Sequence, residues 1–424
     1  MTTGVSSWNP RTSAAPYLSA LLVAPVVYYS GLAVVADAAV GPVPWTLLLL
    51  LATAVVAVVC WVRFRAQAEW DGLLRAWFII GLILWTYVLV AGDLRGASTA
   101  GAAAVVPLTL VLVLLKRPGR SDTWAAADAL AWTVVGTSVV VLLLEALGLI
   151  PSWYFADGVV QSDLLAFDRD THWLPVNDVL GLDARWGGPL RHPNITGLAG
   201  AVLAVYGFAR PGARRASFVV TGVLILVLTD SRSSYAAAAM GLCLLAALPV
   251  WGRPYLRVSP ARVVALVLGV VLGSRVIQNV AENPGLTGRT TVWPEFLSLW
   301  PQSPVLGVGE GAIAEAIASG QLPPWSFHGH NFAIDTLVRH GLVGLGLSVL
   351  FLGIAFAVTI RGVGRSTGVG LAMLSALVLA SFGELVFEWR YPSAAFSALV
   401  VAVLLASAPD EPVPDRAAAG SGLG

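Results

Sequence analysis

Long apolar runs separated by short, arginine-bearing connections set the rhythm of this chain. A spanning helix needs about 20 mostly apolar residues to cross about 30 Å of hydrocarbon. On that template about twelve spans are expected, near residues 17–36, 45–62, 73–91, 98–115, 124–150, 195–209, 216–229, 235–251, 263–280, 331–360, 368–387 and 393–409. Two long stretches break the rhythm, 151–194 and 281–330. The organisation that follows is a tail over 1–16, helices one to five in 17–150, a first loop at 151–194, helices six to nine in 195–280, a large loop at 281–330, helices ten to twelve in 331–409, and a polar, Pro- and Gly-rich tail at 410–424. The composition of that tail predicts disorder. The expected fold class is an all-α integral membrane protein.

Basic residues orient this array. If the N-terminus and alternate connections face the cytoplasm, the inner segments collect Arg11, Arg63, Arg65, Arg75, Lys116, Arg117, Arg120, Arg210, Arg214, Arg215, Arg253, Arg257, Arg262, Arg361, Arg365 and Arg416, which is 16 of the 25 basic residues. Cytoplasmic loops carry such an excess. Both termini are therefore expected inside and both long loops outside, in a multi-pass protein of the cytoplasmic membrane. Only Arg11 precedes the first apolar run, with no small-residue cleavage site, so that run reads as a retained helix.

Composition agrees. Hydrophobic residues make up 57% of the chain and charged residues 12%, against roughly 25% charged in soluble domains. No nucleic-acid partner is expected. Cys60 and Cys243 both sit in apolar runs, too few for a disulfide framework or a zinc site. A single lysine, Lys116, stands against 24 arginines, a skew that points to a GC-rich genome.

Charges within or next to the apolar runs gather toward one side. The seventh run, 216–229, is short, which predicts that Asp230–Ser234 lie below the outer interface. Glu145, Arg275, Asp335, Arg339, Glu384 and Glu388 fall at similar depth. A charge at bilayer depth costs several kcal/mol unless paired or wetted, which makes each a functional candidate. The alternative is structural pairing, for example of an arginine with Glu384 or Glu388. A polar cavity open to the outer leaflet accounts for the one-sided set. Guanidinium groups bind phosphate bidentately and stay charged, so Arg191, Arg232, Arg275, Arg289 and Arg339 suit a lipid carrying a phosphate or pyrophosphate head group. Against this, arginines near membrane surfaces also snorkel to lipid phosphates.

Of five histidines, His172 reads as solvated, His340 as packed in a helix, and His192 precedes a helix that Asn194 is expected to cap. His328 and His330 flank Gly329 where the large loop returns to the membrane at Asn331. His-x-His alone is weak evidence for zinc, and no metal or cofactor is expected. A neutral imidazole at a cavity mouth can instead take a proton from a hydroxyl nucleophile, a role that suits His330.

Four motifs, in order, resemble the O-antigen ligase and O-antigen polymerase superfamily of bacterial membrane glycosyltransferases. They are RHPNITG (191–197), TDSRSSYAAAAMGL (229–242), TGRTTVWPEFLSLWPQSPVLGVGEG (287–311) and HNFAIDTLVRHGLVG (330–344). Some ligases carry Leu four residues after the loop arginine, where this chain has Trp293 after Arg289. The resemblance implies a metal-independent, inverting transfer of a glycan from undecaprenyl pyrophosphate to an acceptor hydroxyl on the outer face. It implies His330 and Arg289 as catalytic, with Arg232, Arg191, Arg289, Arg275 and Arg339 around the pyrophosphate. Asn331, His328, Glu384 and Glu388 would support them. The acceptor would be a glycan, lipid or protein. A repeat-unit polymerase of the same superfamily, or a transporter for an anionic lipid-linked substrate, are the alternatives; alternating access would need a polar path to both faces.

Overall fold

The computed structural model describes residues 13–29, 55, 72–91, 105–113, 118–149, 154–156, 184–190, 192–252, 259–282, 289–323, 326, 328–363, 368–387, 389 and 394–407. The expected span at 45–62 lies outside them save residue 55, and that at 98–115 is described only over its helical part, 105–113. The labelled helices are α1 (Ala15–Tyr29), α2 (Gly72–Ala91), α3 (Arg120–Ala146), α4 (Pro193–Phe208), α5 (Gly212–Thr229), α6 (Arg232–Gly252), α7 (Pro260–Glu282), α8 (Arg289–Leu297), α9 (Gly309–Ala318), α10 (Phe332–Gly362), α11 (Val369–Ser381) and α12 (Ala394–Ser407). Among the described residues, α2, α3, α5, α7 and α10 are long and apolar enough to cross a membrane, while α1, α4, α6, α11 and α12 are shorter apolar helices.

The bundle is mostly helical, with one departure from the all-α expectation. Strands β1 (Tyr154–Ala156) and β2 (Ala184–Trp186) pair antiparallel, Tyr154 opposite Trp186. Helix α4 packs along α5 and α6, α6 also against α7 and α11, and α10 against α2, α11 and α12. Small residues set the closest of these approaches. A Cβ on Gly222 would stand 2.6 Å from the Gly200 carbonyl oxygen across the α4–α5 seam, the kind of backbone contact small residues permit in membranes. Elsewhere large side chains fill the seams: Trp77 of α2 stacks on Phe351 of α10 at 4.9 Å.

At the end assigned to the cytoplasm, Asp128 of α3 accepts from the Tyr206 hydroxyl and Arg210, both at 2.6 Å, and from Arg214 at 2.8 Å. Arg210 also lies over the Trp124 ring, 4.7 Å from its centroid. Removing one partner of a largely buried pair leaves the other charge unmatched. Asp128→Ala should therefore lower stability by about 2–3 kcal/mol, whereas Arg214→Ala should cost under about 1 kcal/mol because exposed pairs contribute little. Thermal unfolding of the two purified variants measures the difference.

Three sequence expectations change here. Helix α5 starts at Gly212 and runs 18 residues, about 27 Å at 1.5 Å per residue, so a short helix does not force the Asp230 turn below the interface. Helix α11 ends at Ser381, which places Glu384 in the turn beyond it rather than within a span. The tenth span is broken: Gly341 has φ 62° and ψ −167°, and two helical segments meet there.

The break is closed by residues 304–308. Leu342 and Val343, whose amides lose helical partners at the break, donate to the carbonyls of Pro304 and Val305 at 3.0 and 3.1 Å. The Val338 carbonyl accepts from the Val308 amide at 2.8 Å, and the His340 carbonyl from the Tyr87 hydroxyl at 2.8 Å. Such pairing meets the demand that buried backbone groups be satisfied. The motifs at 304–309 and 341–344 are thus one structural unit. Above it, Phe296, Leu299, Ile313, Ala316, Leu322 and Val338 form a second, smaller core that fastens α8 and α9 to α10. Residues 309–318 form helix α9, which this core ties down.

Candidate functional site

The N-terminus of α4 is capped by His192, not by Asn194. His192 is extended, and its Nδ1 accepts from the Asn194 amide at 3.3 Å. Pro193 occupies the first helical position, where its missing N–H costs nothing; that preference is the sequence signal for a cap one residue earlier. Asn194 is thereby released for another task, and it is buried. Its Oδ1 accepts from Arg185 Nη2 and from the Ser231 hydroxyl, the latter at 2.9 Å, and its Nδ2 donates to Glu384 Oε1.

This one amide joins the end of β2, the α5–α6 turn and the turn after α11. Ser234 strengthens the joint, donating to the Asn194 carbonyl at 3.1 Å, and the Ser231 and Ser234 hydroxyls lie 2.9 Å apart. Arg185 Nε takes the Thr229 carbonyl at the end of α5 at 3.0 Å. A buried polar group must be hydrogen-bonded or it costs 1–3 kcal/mol, and Asn194 uses both ends of its side chain.

Arg232, half-buried, opens helix α6. The preceding Asp230 closes α5 in the left-handed conformation, φ 38° and ψ 47°. The Tyr235 hydroxyl, one turn into α6, lies in the electrostatic field of Asp230, Arg275 and Arg185. Arg275 of α7 donates to Gln278 at 3.3 Å.

The second half of the site is the N-terminus of α10. Asn331 caps it, its Oδ1 accepting from the Ala333 and Ile334 amides at 2.9 and 3.1 Å. Asn331 Nδ2 donates to the Phe382 carbonyl at 2.9 Å. Phe382 is two residues from Glu384, so a continuous path runs from His330 and Asn331 through the α11 turn to Asn194, Ser231 and Arg185. His330, like Asp230, is left-handed, with φ 46°, and these are the two non-glycine residues of positive φ among the described residues. Its amide donates to His328 Nδ1 at 3.3 Å, and the two rings stand 4.0 Å apart at 66°.

Arg339 stands apart from the other arginines. It is 2% exposed and ion-paired to Asp335 at 2.9 Å and to Glu310 of α9. Asp335 also accepts from the Gly329 amide at 2.9 Å. With its charge matched by two carboxylates, Arg339 braces the loop that carries His330, and it drops out of the set read from sequence as binding pyrophosphate. The four-residue Asp335–Arg339 spacing on one helix face was the signal for this. Arg289 is the first residue of α8, and its side chain lies outside the described portion, as do Arg191 and Glu388.

Beside this polar junction runs an apolar crevice between α3, α4, α11 and α12. It extends from Ile195, next to Asn194, through Leu198, Val202 and Leu377 to Ala127 and Tyr206. Sequence reasoning missed Arg185, the serines and the junction role of Asn194. Of the residues it did single out, Asn331 and Glu384 are joined through the turn after α11. Among the described residues, no three of His, Cys, Asp and Glu gather closely enough to ligate one metal ion.

Residues 217–349, from α5 to midway along α10, match the protein-family model described as O-antigen ligase. No curated protein matches the chain.

Proposed function

From the premise that this chain belongs to the O-antigen ligase/polymerase superfamily, we propose that it transfers a glycan from undecaprenyl pyrophosphate to an acceptor hydroxyl on the outer face of the cytoplasmic membrane. The observation that carries this reading is the path from Asn194 to Glu384, along the turn to Phe382 and on to Asn331, which ties Ser231, the residue before Arg232, to Asn331, the residue after His330. One end is cationic and suits a leaving pyrophosphate. The other presents an imidazole.

In this reading the acceptor oxygen attacks the anomeric carbon and gives its proton to the His330 imidazole. The bond from that carbon to the pyrophosphate oxygen breaks with inversion, and the electron pair leaves with the phosphate. Arg232, Arg289, Arg191 and Arg275 offset the charge that develops there. Fixed cations in a water-poor site act strongly on such charge and need no reorganisation during reaction. Glu384 holds Asn194 in place, and His328 and Glu388 support the imidazole end. The isoprenoid chain occupies the apolar crevice, whose upper end lies beside Asn194. A ligase and a polymerase share this arrangement and differ in the acceptor.

A photoreactive undecaprenyl pyrophosphate analogue, irradiated in membranes and mapped by peptide mass, tests the placement. Adducts on the crevice residues of α4 or α11 are expected; adducts confined to the lipid-facing side of α7 would sink it. Transfer should also persist undiminished in EDTA, because the proposed phosphate ligands are guanidinium groups. Loss of activity on chelation, restored by zinc, would replace this mechanism with a metal-assisted one.

A further inference from the structure

The loop that closes the α10 break carries an apolar tip with no aqueous purpose. Val305 and Leu306 are 54% and 57% exposed, beside Leu342 at 53% and Val343 at 37%. No charged residue occurs from Pro301 to Gly309. We propose that this tip is inserted among the acyl chains of the outer leaflet, making the 303–308 loop a membrane wedge rather than an aqueous loop.

Two depth measures place it there. From Gly341 to Gly362, the end of α10, the helix is about 32 Å long at 1.5 Å per residue, which matches the hydrocarbon thickness of about 30 Å. With Arg361 at the cytoplasmic end, the break falls at the outer hydrocarbon boundary, and the Asn331–His340 segment rises beyond it. Independently, Tyr87 stands one turn from the outer end of α2, and its hydroxyl donates to Leu306 at 3.0 Å as well as to His340. Tyrosine and tryptophan concentrate at that interface. Trp300 joins the group, its indole N–H donating to the Pro304 carbonyl at 3.0 Å.

On the acceptor side, backbone pairing suits the insertion. Irregular chain is excluded from lipid chiefly because its polar groups lack partners. Here the carbonyls of Pro304, Val305 and Leu306 all accept hydrogen bonds, from Leu342 and Trp300, from Val343 and from Tyr87. Proline removes one amide, and Gly307 donates to the Ser303 carbonyl at 2.8 Å. The patch is also continuous with the lipid-facing side of α10, where Val349 and Leu350 are 60% and 47% exposed.

The test is spin-label accessibility in the full chain, with Cys60→Ser and Cys243→Ser as background, reconstituted in phosphatidylethanolamine–phosphatidylglycerol vesicles. Labels are placed through Val305→Cys and Leu306→Cys, with Leu350→Cys as the lipid reference and Glu315→Cys, exposed on α9, as the aqueous one. Labels at 305 and 306 should collide with oxygen several-fold more than with a water-soluble nickel chelate, as at 350, and the ratio should invert at 315. Nickel-dominated collisions at 305 and 306, with both references behaving normally, would overturn the proposal. Normal references also report that the labelled chains are folded.

Discussion

His330→Ala is expected to reduce glycan transfer by about 10²–10⁴-fold, the contribution typical of a positioned general base, while leaving the amount of folded protein in membranes unchanged. The side chain is half-buried at the end of a loop whose position is set by other residues: Asn331 caps α10, and Asp335 holds the Gly329 amide. Removing the imidazole should therefore withdraw the proposed proton acceptor while these supports stay in place. The left-handed backbone at His330 sharpens the experiment. Glycine adopts that conformation freely, so His330→Gly should be at least as stable as wild type and just as inactive. A lipid-linked donor and a radiolabelled acceptor, assayed in membrane vesicles, give the rate. Undiminished transfer by either variant would remove His330 from the mechanism and leave the arginine cluster to be explained by binding alone.

The second large effect concerns stability. Gly341→Ala should destabilise the fold by on the order of 3–5 kcal/mol, from a backbone conformation essentially restricted to glycine and from lost pairing with the outer loop. A Cβ at this position would stand 2.2 Å from the Val305 carbonyl oxygen and 2.5 Å from the Gly307 nitrogen. Those are backbone atoms and cannot rotate aside. Gly346, one turn farther along the same helix, has nothing within 4 Å of the corresponding position. Gly346→Ala should be neutral, or stabilising by up to about 1 kcal/mol from helix propensity. Thermal unfolding of both variants in the same detergent separates a specific role for Gly341 from a general sensitivity of α10. Equal behaviour of the two would mean that the break is not a fixed feature.

Much of this architecture was legible from the chain. Apolar runs gave the helical stretches that the structure describes, because a spanning helix must be long and apolar whatever it packs against. His330 and Asn331 were visible as a polar pair ahead of such a run, and the Asn331 cap follows the usual preference. The joints between segments were not visible. Asn194 meets Ser231 across 37 positions and Glu384 across 190, and no local pattern encodes which distant carboxylate an asparagine will find. The break at Gly341 was hidden for a related reason. Glycine inside an apolar run is compatible with a continuous helix, and what opens this one is a loop more than 30 residues earlier in the chain. Arg339 was misassigned although its partner Asp335 lay four residues away; the charge was counted, and the helical spacing that neutralises it was not.

The docking of residues 303–308 onto α10 has a consequence for how the protein is made. Segments 289–323 emerge from the ribosome before the helix that completes them. Until Val338, Arg339 and the Gly341 amide neighbours are synthesised, Phe296 and Ile313 lack a wall of their core and Glu310 lacks its cation. Residues 289–323 therefore cannot reach their final form until α10 is in place. A chain truncated before residue 344 would present that unfinished surface to proteases, whereas one that includes all of α10, to Gly362, would not.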